Sequence, residues 1–228
     1  MSNNNEVRPT SNNELPNRNG RGMLIVVSSP SGGGKGTLIR RVLERVPNLG
    51  YSVSYTTRAP REGEVAGRHY FFVSVDVFRE MEHAGEFLES AVVHGNLYGT
   101  AHARVDEELA EGHDIILEID VQGAESVRRH SRDAVMVFVL PPSFEILSQR
   151  LTARGSEQPE DLELRLRNAR HEVEAYRKFD YVIINDDADR AANQLASIVY
   201  AERARLLRQE QAASYVLETF AIPVNESG

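Results

Sequence analysis

An α/β fold is predicted, a parallel sheet core with helices on both faces, from three observations. Short apolar runs at residues 23–28, 115–120, 134–140 and 181–184 alternate with helical patterns, the order that gives parallel strands joined by crossover helices. A glycine-rich loop follows the first run. Two stretches of different texture interrupt the alternation, a small mixed α/β module at residues 52–103 and a basic helical lid at 150–167. The core is then residues 23–51, 104–149 and 168–213, between an N-terminal tail at 1–22 and a C-terminal tail at 214–228.

Residues 1–22 are rich in Asn and poor in apolar groups, the composition of a disordered tail. The run 23–27 leads into Ser28-Ser29-Pro30-Ser31-Gly32-Gly33-Gly34-Lys35-Gly36-Thr37, which has the strand, phosphate loop, helix order of a P-loop NTPase-type core. Consecutive glycines let backbone N–H groups turn inward around an anion, and the helix that follows presents free donors and a positive dipole end. Lys35 adds a point charge for the outer phosphates. Leu38, Ile39, Val42, Leu43 and Val46 give that helix its apolar face, and Pro47 ends it. Residues 29–37 are therefore the candidate triphosphate loop. Two positions depart from the GxxxxGK(S/T) pattern. Ser29 holds the first glycine place and is strained if its φ is positive. Gly36 stands where a magnesium-binding hydroxyl is expected, so no direct protein ligand for a metal is assigned; Mg²⁺ would rest on nucleotide phosphates and water.

In the inserted module, aromatic and polar residues alternate over short stretches between Tyr51 and Gly99, a pattern of short strands. The lid carries Arg150, Arg154, Arg165 and Arg167 around Gly155, Ser156 and Pro159. Strand ends of a parallel sheet converge on one crevice, where the phosphate loop, Asp120 and Asn185 would meet. The chain of 228 residues is long enough for a sizeable core, and its apolar fraction of 41% suits a soluble protein. Its apolar runs are too short to span a bilayer. A net charge of −8 argues against a broad nucleic-acid surface. The absence of cysteine excludes disulfides and thiolate chemistry, and a cytoplasmic location is the simplest reading.

Ser54-Tyr55-Thr56-Thr57-Arg58-Ala59-Pro60-Arg61-Glu62-Gly63-Glu64, with Gly67-Arg68-His69-Tyr70, closely resembles guanylate kinase. The resemblance continues through Phe87-Leu88-Glu89, Gly95-Asn96-Leu97-Tyr98-Gly99-Thr100, the segment 116–123, Arg150-Leu151-Thr152-Ala153-Arg154-Gly155 and Ile184-Asn185-Asp186-Asp187. It implies Mg²⁺-dependent phosphoryl transfer from ATP to GMP, with dGMP also an acceptor, in purine metabolism. It makes the module a GMP-binding unit and the basic segment a lid over ATP. Glu89 and Asp120 match the family's two guanine-reading carboxylates, which accept from N1–H and the 2-amino group. Adenine would set a lone pair against them, and such a site discriminates by up to roughly 10⁴–10⁵. Ser54 and Thr100 match hydroxyl contacts to the base, and Arg58, Arg61, Tyr70 and Tyr98 match the monophosphate clamp. Lys35, Arg58, Arg150, Arg154 and Arg165 supply charge for the transfer, and Asn185 lies near the adenine. Two other readings stay open: a catalytically dead binding module of the same fold, and another acceptor such as AMP, since Gly-Lys-Gly-Thr also resembles adenylate kinase loops. Whether like chains assemble is also left open. His69 replaces an Asp usual in the family, and His94, His102 and His113 are assigned to loops or helix surface.

Overall fold

The computed structural model describes residues 20–93, 95–153 and 159–220. His94, Arg154, Gly155, Ser156 and tail residues 1–19 and 221–228 lie outside the described residues. The central strand β1 (Leu24–Ser28) is buried along its whole length. It pairs in parallel with β7 (Asp114–Glu118) on one side and β8 (Val135–Leu140) on the other. An edge strand β2 (Leu49–Tyr51) follows β7, and β9 (Tyr181–Ile184) follows β8, giving the order β2-β7-β1-β8-β9. All four expected strands are present. The fifth, β2, has three residues including Gly50 and carries no apolar period to read.

Alternation along β1 divides the core. Ile25 and Val27 pack with Leu38, Ile39 and Val42 of α1 (Lys35–Arg45) and with Leu195 and Val199 of α7 (Ala188–Arg203). Leu24 and Val26 face Val105 and Leu109 of α3 (His102–Ala110) and Ala124 and Val127 of α4 (Val121–His130). A sheet buried on both faces follows from the period of two in a strand that is apolar throughout.

The inserted module holds a mixed sheet, β3 (Tyr55–Thr56), β4 (Phe71–Phe72), β5 (Phe87–Val93) and β6 (Asn96–Ala101), in the order β4-β3-β6-β5, with helix α2 (Val75–His83). Its own packing is aromatic, with Phe78 stacked on Phe87 at 4.5 Å and Tyr55 on Phe71 at 4.8 Å. A register shift between Phe87 and Glu89 lets two successive residues turn inward. Leu88 joins the core cluster beneath α3 and α4 while Glu89 is 5% exposed.

After β8 come α5 (Phe144–Thr152) and α6 (Pro159–Glu172), sharing a cluster of Leu147, Leu151 and Ala169, and then a short 3₁₀ helix, Val173–Lys178. The segment expected as a lid thus begins inside the last turn of α5. A last helix, α8 (Leu206–Thr219), runs past residue 214, where a tail was expected; the Thr219 hydroxyl donates to the Val216 carbonyl in its final turn. Residues 20–22, expected in the other tail, are also engaged: Gly22 N–H donates to Leu109 at 2.6 Å, and Arg21 pairs with Asp106. Among the described residues no helix is long and apolar enough to cross a membrane.

One buried ion pair ties these layers together opposite the strand ends. Asp114 accepts from Arg203 Nε at 2.6 Å and from the Met23 backbone N–H at 2.7 Å, and the Arg203 guanidinium also donates to the carbonyls of Pro47 and Asn48 at 2.9 and 3.1 Å. Both side chains are nearly enclosed, at 7% and 11% exposure. Asp114→Ala strands a buried guanidinium, so an urea titration is expected to show a loss of about 3–5 kcal/mol.

Candidate active site

The loop between β1 and α1 lies at the carboxyl end of the central strand. Gly32 and Gly34 take positive φ of 84° and 89°, a conformation costly for other residues, and Gly34 caps α1 without a side chain. No acidic residue sits in the first turn of α1, and Lys35 makes no ion pair among the described residues. The helix end therefore keeps its free N–H donors and positive dipole for an anion. Ser29 does not take positive φ, so the strain expected of it is absent. Its hydroxyl donates to the Pro30 carbonyl at 3.0 Å, and a Cβ at Gly33 would meet the Ser29 Cβ at 2.7 Å. Within the loop, Ser31 N–H donates to the carboxylate of Glu172, at the end of α6, at 3.0 Å.

Asn185, directly after β9, is only 5% exposed and donates from Nδ2 to the Gly33 carbonyl at 2.9 Å. Its amide holds the phosphate loop, a tie that the expected place beside a base does not include. Arg150, from the last turn of α5, donates to the Asn185 carbonyl at 2.8 Å, and its Nη1 lies 3.8 Å from where a Cβ on Gly34 would stand. So Arg150 sits on the loop itself. Arg150 Nη1, Asn185 Oδ1 and Ser28 Oγ are buried with no hydrogen-bond partner. Each such atom costs about 1–3 kcal/mol, which marks this side of the loop as built for a polar ligand. Thr37 is exposed, and Arg165 and Arg167 lie on α6, where Arg167 pairs with Glu163 at 3.4 Å.

A second cluster lines the inserted module. Thr100 donates to Glu89 Oε1 at 2.7 Å across the β5–β6 pair, and Ser54 lies 3.4 Å from the Thr100 hydroxyl. Asp120 caps α4, accepting from Gly123 N–H at 2.7 Å. Burial, then the neighbouring Asp120 carboxylate, push the Glu89 carboxyl up to about 7, against the pull of the Thr100 hydrogen bonds. Two acceptor groups thus stand side by side with one donor between them and the strand.

Arg58 is held on every side: Nη2 donates to Glu64 at 2.7 Å, Nη1 to the Ala59 carbonyl at 2.7 Å and Nε to the Tyr98 hydroxyl at 3.3 Å. Its guanidinium lies over the Tyr70 ring at 5.3 Å, and Tyr70 packs edge-on against Tyr98. Glu64 also accepts the Arg61 backbone N–H at 2.7 Å. The Arg58 hydrogen bond, then the Arg61 N–H, hold the Glu64 carboxyl down at about 2. The Arg61 side chain is exposed. His69 Nδ1 accepts the Val65 N–H at 2.9 Å and shapes the preceding turn, while His102 and His113 lie exposed beside Asp106 and Glu108.

Two residues with no role assigned from sequence belong to this surface. Glu64 organises Arg58 and Arg61; its only sequence signal was its place in the quoted segment. Glu118, the last residue of β7, accepts from the Tyr51 hydroxyl at 3.4 Å and faces Gly36, where a Cβ would meet Oε1 at 3.2 Å. It also acts electrostatically on Tyr70. Glu118 therefore faces the glycine-rich loop from the end of β7, with Tyr51 as its hydrogen-bond partner.

Over residues 21–202 the chain matches the family model described as guanylate kinase. A guanylate kinase of Thiobacillus denitrificans is 49% identical over 188 residues, 82% of this chain and 90% of that protein. One from Geobacter sulfurreducens is 46% identical over 195 residues, 86% and 96% of the two chains. A crystal structure of guanylate kinase from Anaplasma phagocytophilum superposes with a TM-score of 0.69 at 35% identity, covering 83% of this chain and 90% of that one.

The raised Glu89 carboxyl couples stability to pH. A group shifted above its unfolded value binds more protons when folded, so its contribution is full below about 4.5 and is lost as pH rises through about 7. Glu89→Gln keeps an acceptor for Thr100 and is expected to stabilise the fold by about 3 kcal/mol at pH 8 and to do little at pH 4. Thermal unfolding of both proteins across that range measures it.

Proposed function

This chain belongs to the guanylate kinase family and is an ATP:GMP phosphotransferase, and we propose that the two clusters just described divide the substrates between them. The observation that carries this assignment is the juxtaposition of the buried Glu89 with the half-buried Asp120, one strand end away from the glycine-rich loop. Two adjacent acceptors suit the N1–H and 2-amino donors of guanine, and adenine offers no such pair of donors. Thr100 orients Glu89, and Ser54 beside it offers a hydroxyl for the base oxygen. Arg58, Arg61, Tyr70 and Tyr98 take the monophosphate, Glu64 holding the Arg58 fork in register.

On the other side, backbone N–H groups of residues 32–37 and the start of α1 take the outer phosphates of ATP, with Lys35 as the mobile charge. Arg150 completes this side through Nη1, with Arg154 and Arg165 adding charge over the transferred group. The terminal phosphoryl then passes in line to a GMP phosphate oxygen, leaving ADP and GDP. Little covalent help is needed from protein, because positioning and charge carry this reaction. Closure around both nucleotides excludes water and limits ATP hydrolysis.

Mg²⁺ belongs to the same reading. Gly36 supplies no hydroxyl, but the space left by its missing side chain opens onto the Glu118 carboxylate. That carboxylate suits a hydrated Mg²⁺: Glu118 would hold the ion through water, and the ion would supply charge neutralisation for the phosphates. The same reading takes the cytoplasm as the site of action and dGMP as a second acceptor.

Lys35→Ala is expected to keep the fold and lose about 10²–10³-fold in kcat, since one charge aimed at the transition state is removed. A coupled assay of ADP formation with GMP, AMP, IMP and dGMP checks this, and preference for AMP would overturn the guanine assignment. Binding of GMP should favour the ionised form of Glu89, so affinity is expected to fall about tenfold per pH unit below about 7. Calorimetric titration of GMP between pH 5.5 and 8 tests that dependence, and Glu89→Gln should flatten it and weaken GMP without altering ATP.

A further inference from the structure

Gly123 breaks a local rule where α4 begins. It is the third residue of the helix, counted from the Asp120 cap, and it is buried. A capping box places Glu or Gln there, and helix interiors disfavour glycine because it has more freedom to lose. The backbone at this position is helical, so no special conformation demands glycine.

Space is what demands it. A Cβ at this position would stand 2.8 Å from Glu89 Oε2, 3.3 Å from Asp120 Oδ1 and 3.3 Å from the Ile119 Cβ. The Glu89 carboxylate thus occupies the volume a side chain at 123 would fill. It has little room to retreat. Oε1 is tied to the Thr100 hydroxyl at 2.7 Å, and the adjoining Leu88 is locked in the core by the register shift in β5. From the other side, the Gly123 N–H fixes the Asp120 carboxylate at 2.7 Å. One residue therefore sets both acceptors: its missing side chain admits one, and its amide orients the other.

We infer that Gly123 is a positioning residue for base specificity, holding Glu89 and Asp120 close enough to read two neighbouring donors on one purine edge. This rests on the guanine assignment above. Bringing two carboxylates together is costly for the empty protein, and a ligand with two adjacent N–H donors relieves that cost. A glycine serving only helix–strand packing would affect stability but would not distinguish one acceptor from another.

Gly123→Ala in the full chain tests the inference. The KM for GMP is expected to rise by about tenfold or more, with the ATP KM unchanged, and the preference for GMP over IMP, which lacks the 2-amino group, to shrink. An unchanged GMP KM, or equal changes for both substrates, would overturn it. A thermal cycle covers a variant too unstable to assay. Gly123→Ala should lower the unfolding temperature of the parent protein and lower it markedly less in the Glu89→Ala background, where the 2.8 Å clash is gone, helix propensity favours alanine and only the 3.3 Å approaches to Asp120 and Ile119 remain. The same lowering in both backgrounds would place the clash elsewhere and sink the proposal. A parent enzyme that prefers AMP would overturn the guanine assignment, while the thermal cycle would still decide whether Gly123 makes room for Glu89.

Discussion

Parallel pairing on both edges of β1 is the constraint from which the site follows. β1, buried on both faces, runs parallel to the neighbours on both its edges, and each return of the chain to a parallel sheet needs a crossover connection. With β7 on one side and β8 on the other, the chain leaves β1 at the point where the strand order reverses. The glycine-rich loop occupies that point. Glu118 and Asp120 arrive from the end of β7 and Asn185 from the end of β9, so groups over a hundred residues apart meet without any long loop.

Two kinds of buried charge divide the molecule. At the foot of the sheet, Asp114 and Arg203 satisfy one another and three backbone groups besides, so the pair works as a rivet. At the head, groups are left short of partners. Arg150 and Asn185 each bury an unpaired polar atom, and Glu89 and Asp120 are crowded together with like charge. A fold can hold such groups only where the surrounding structure is over-determined. The rivet and the two-faced core provide that surplus. The backbone stays relaxed, because the loop's positive φ angles fall on glycine and not on Ser29.

The inserted module shows how a short strand can serve two layers. The register shift in β5 sends Leu88 into the main core and Glu89 into the site from adjacent positions. Regular alternation would have put one of them on the opposite face. Core packing and the candidate site are coupled at this point, and α4 closes over both.

The phosphate loop, the four long core strands and the first helix were legible in the amino-acid sequence, because their signals are local: a glycine-lysine run, a period of two, a period near four. The segments carrying Glu89, Asp120, Arg58 and the tyrosines were legible as a resemblance, one contiguous motif at a time. Other features were not. The edge strand β2 is too short to show a period, and the helical turns of residues 215–219 lie in a stretch whose composition reads as a tail. The roles of Glu64, Glu118 and Gly123 rest on contacts with Arg58, Gly36 and Glu89 that no local pattern encodes. Sequence by itself determined which elements form and what chemistry the loop can hold; only the tertiary structure decided which side chains share a pocket. Propensity and periodicity act within a few residues, whereas crowding, burial and unpaired polar atoms arise from chain segments that meet in space.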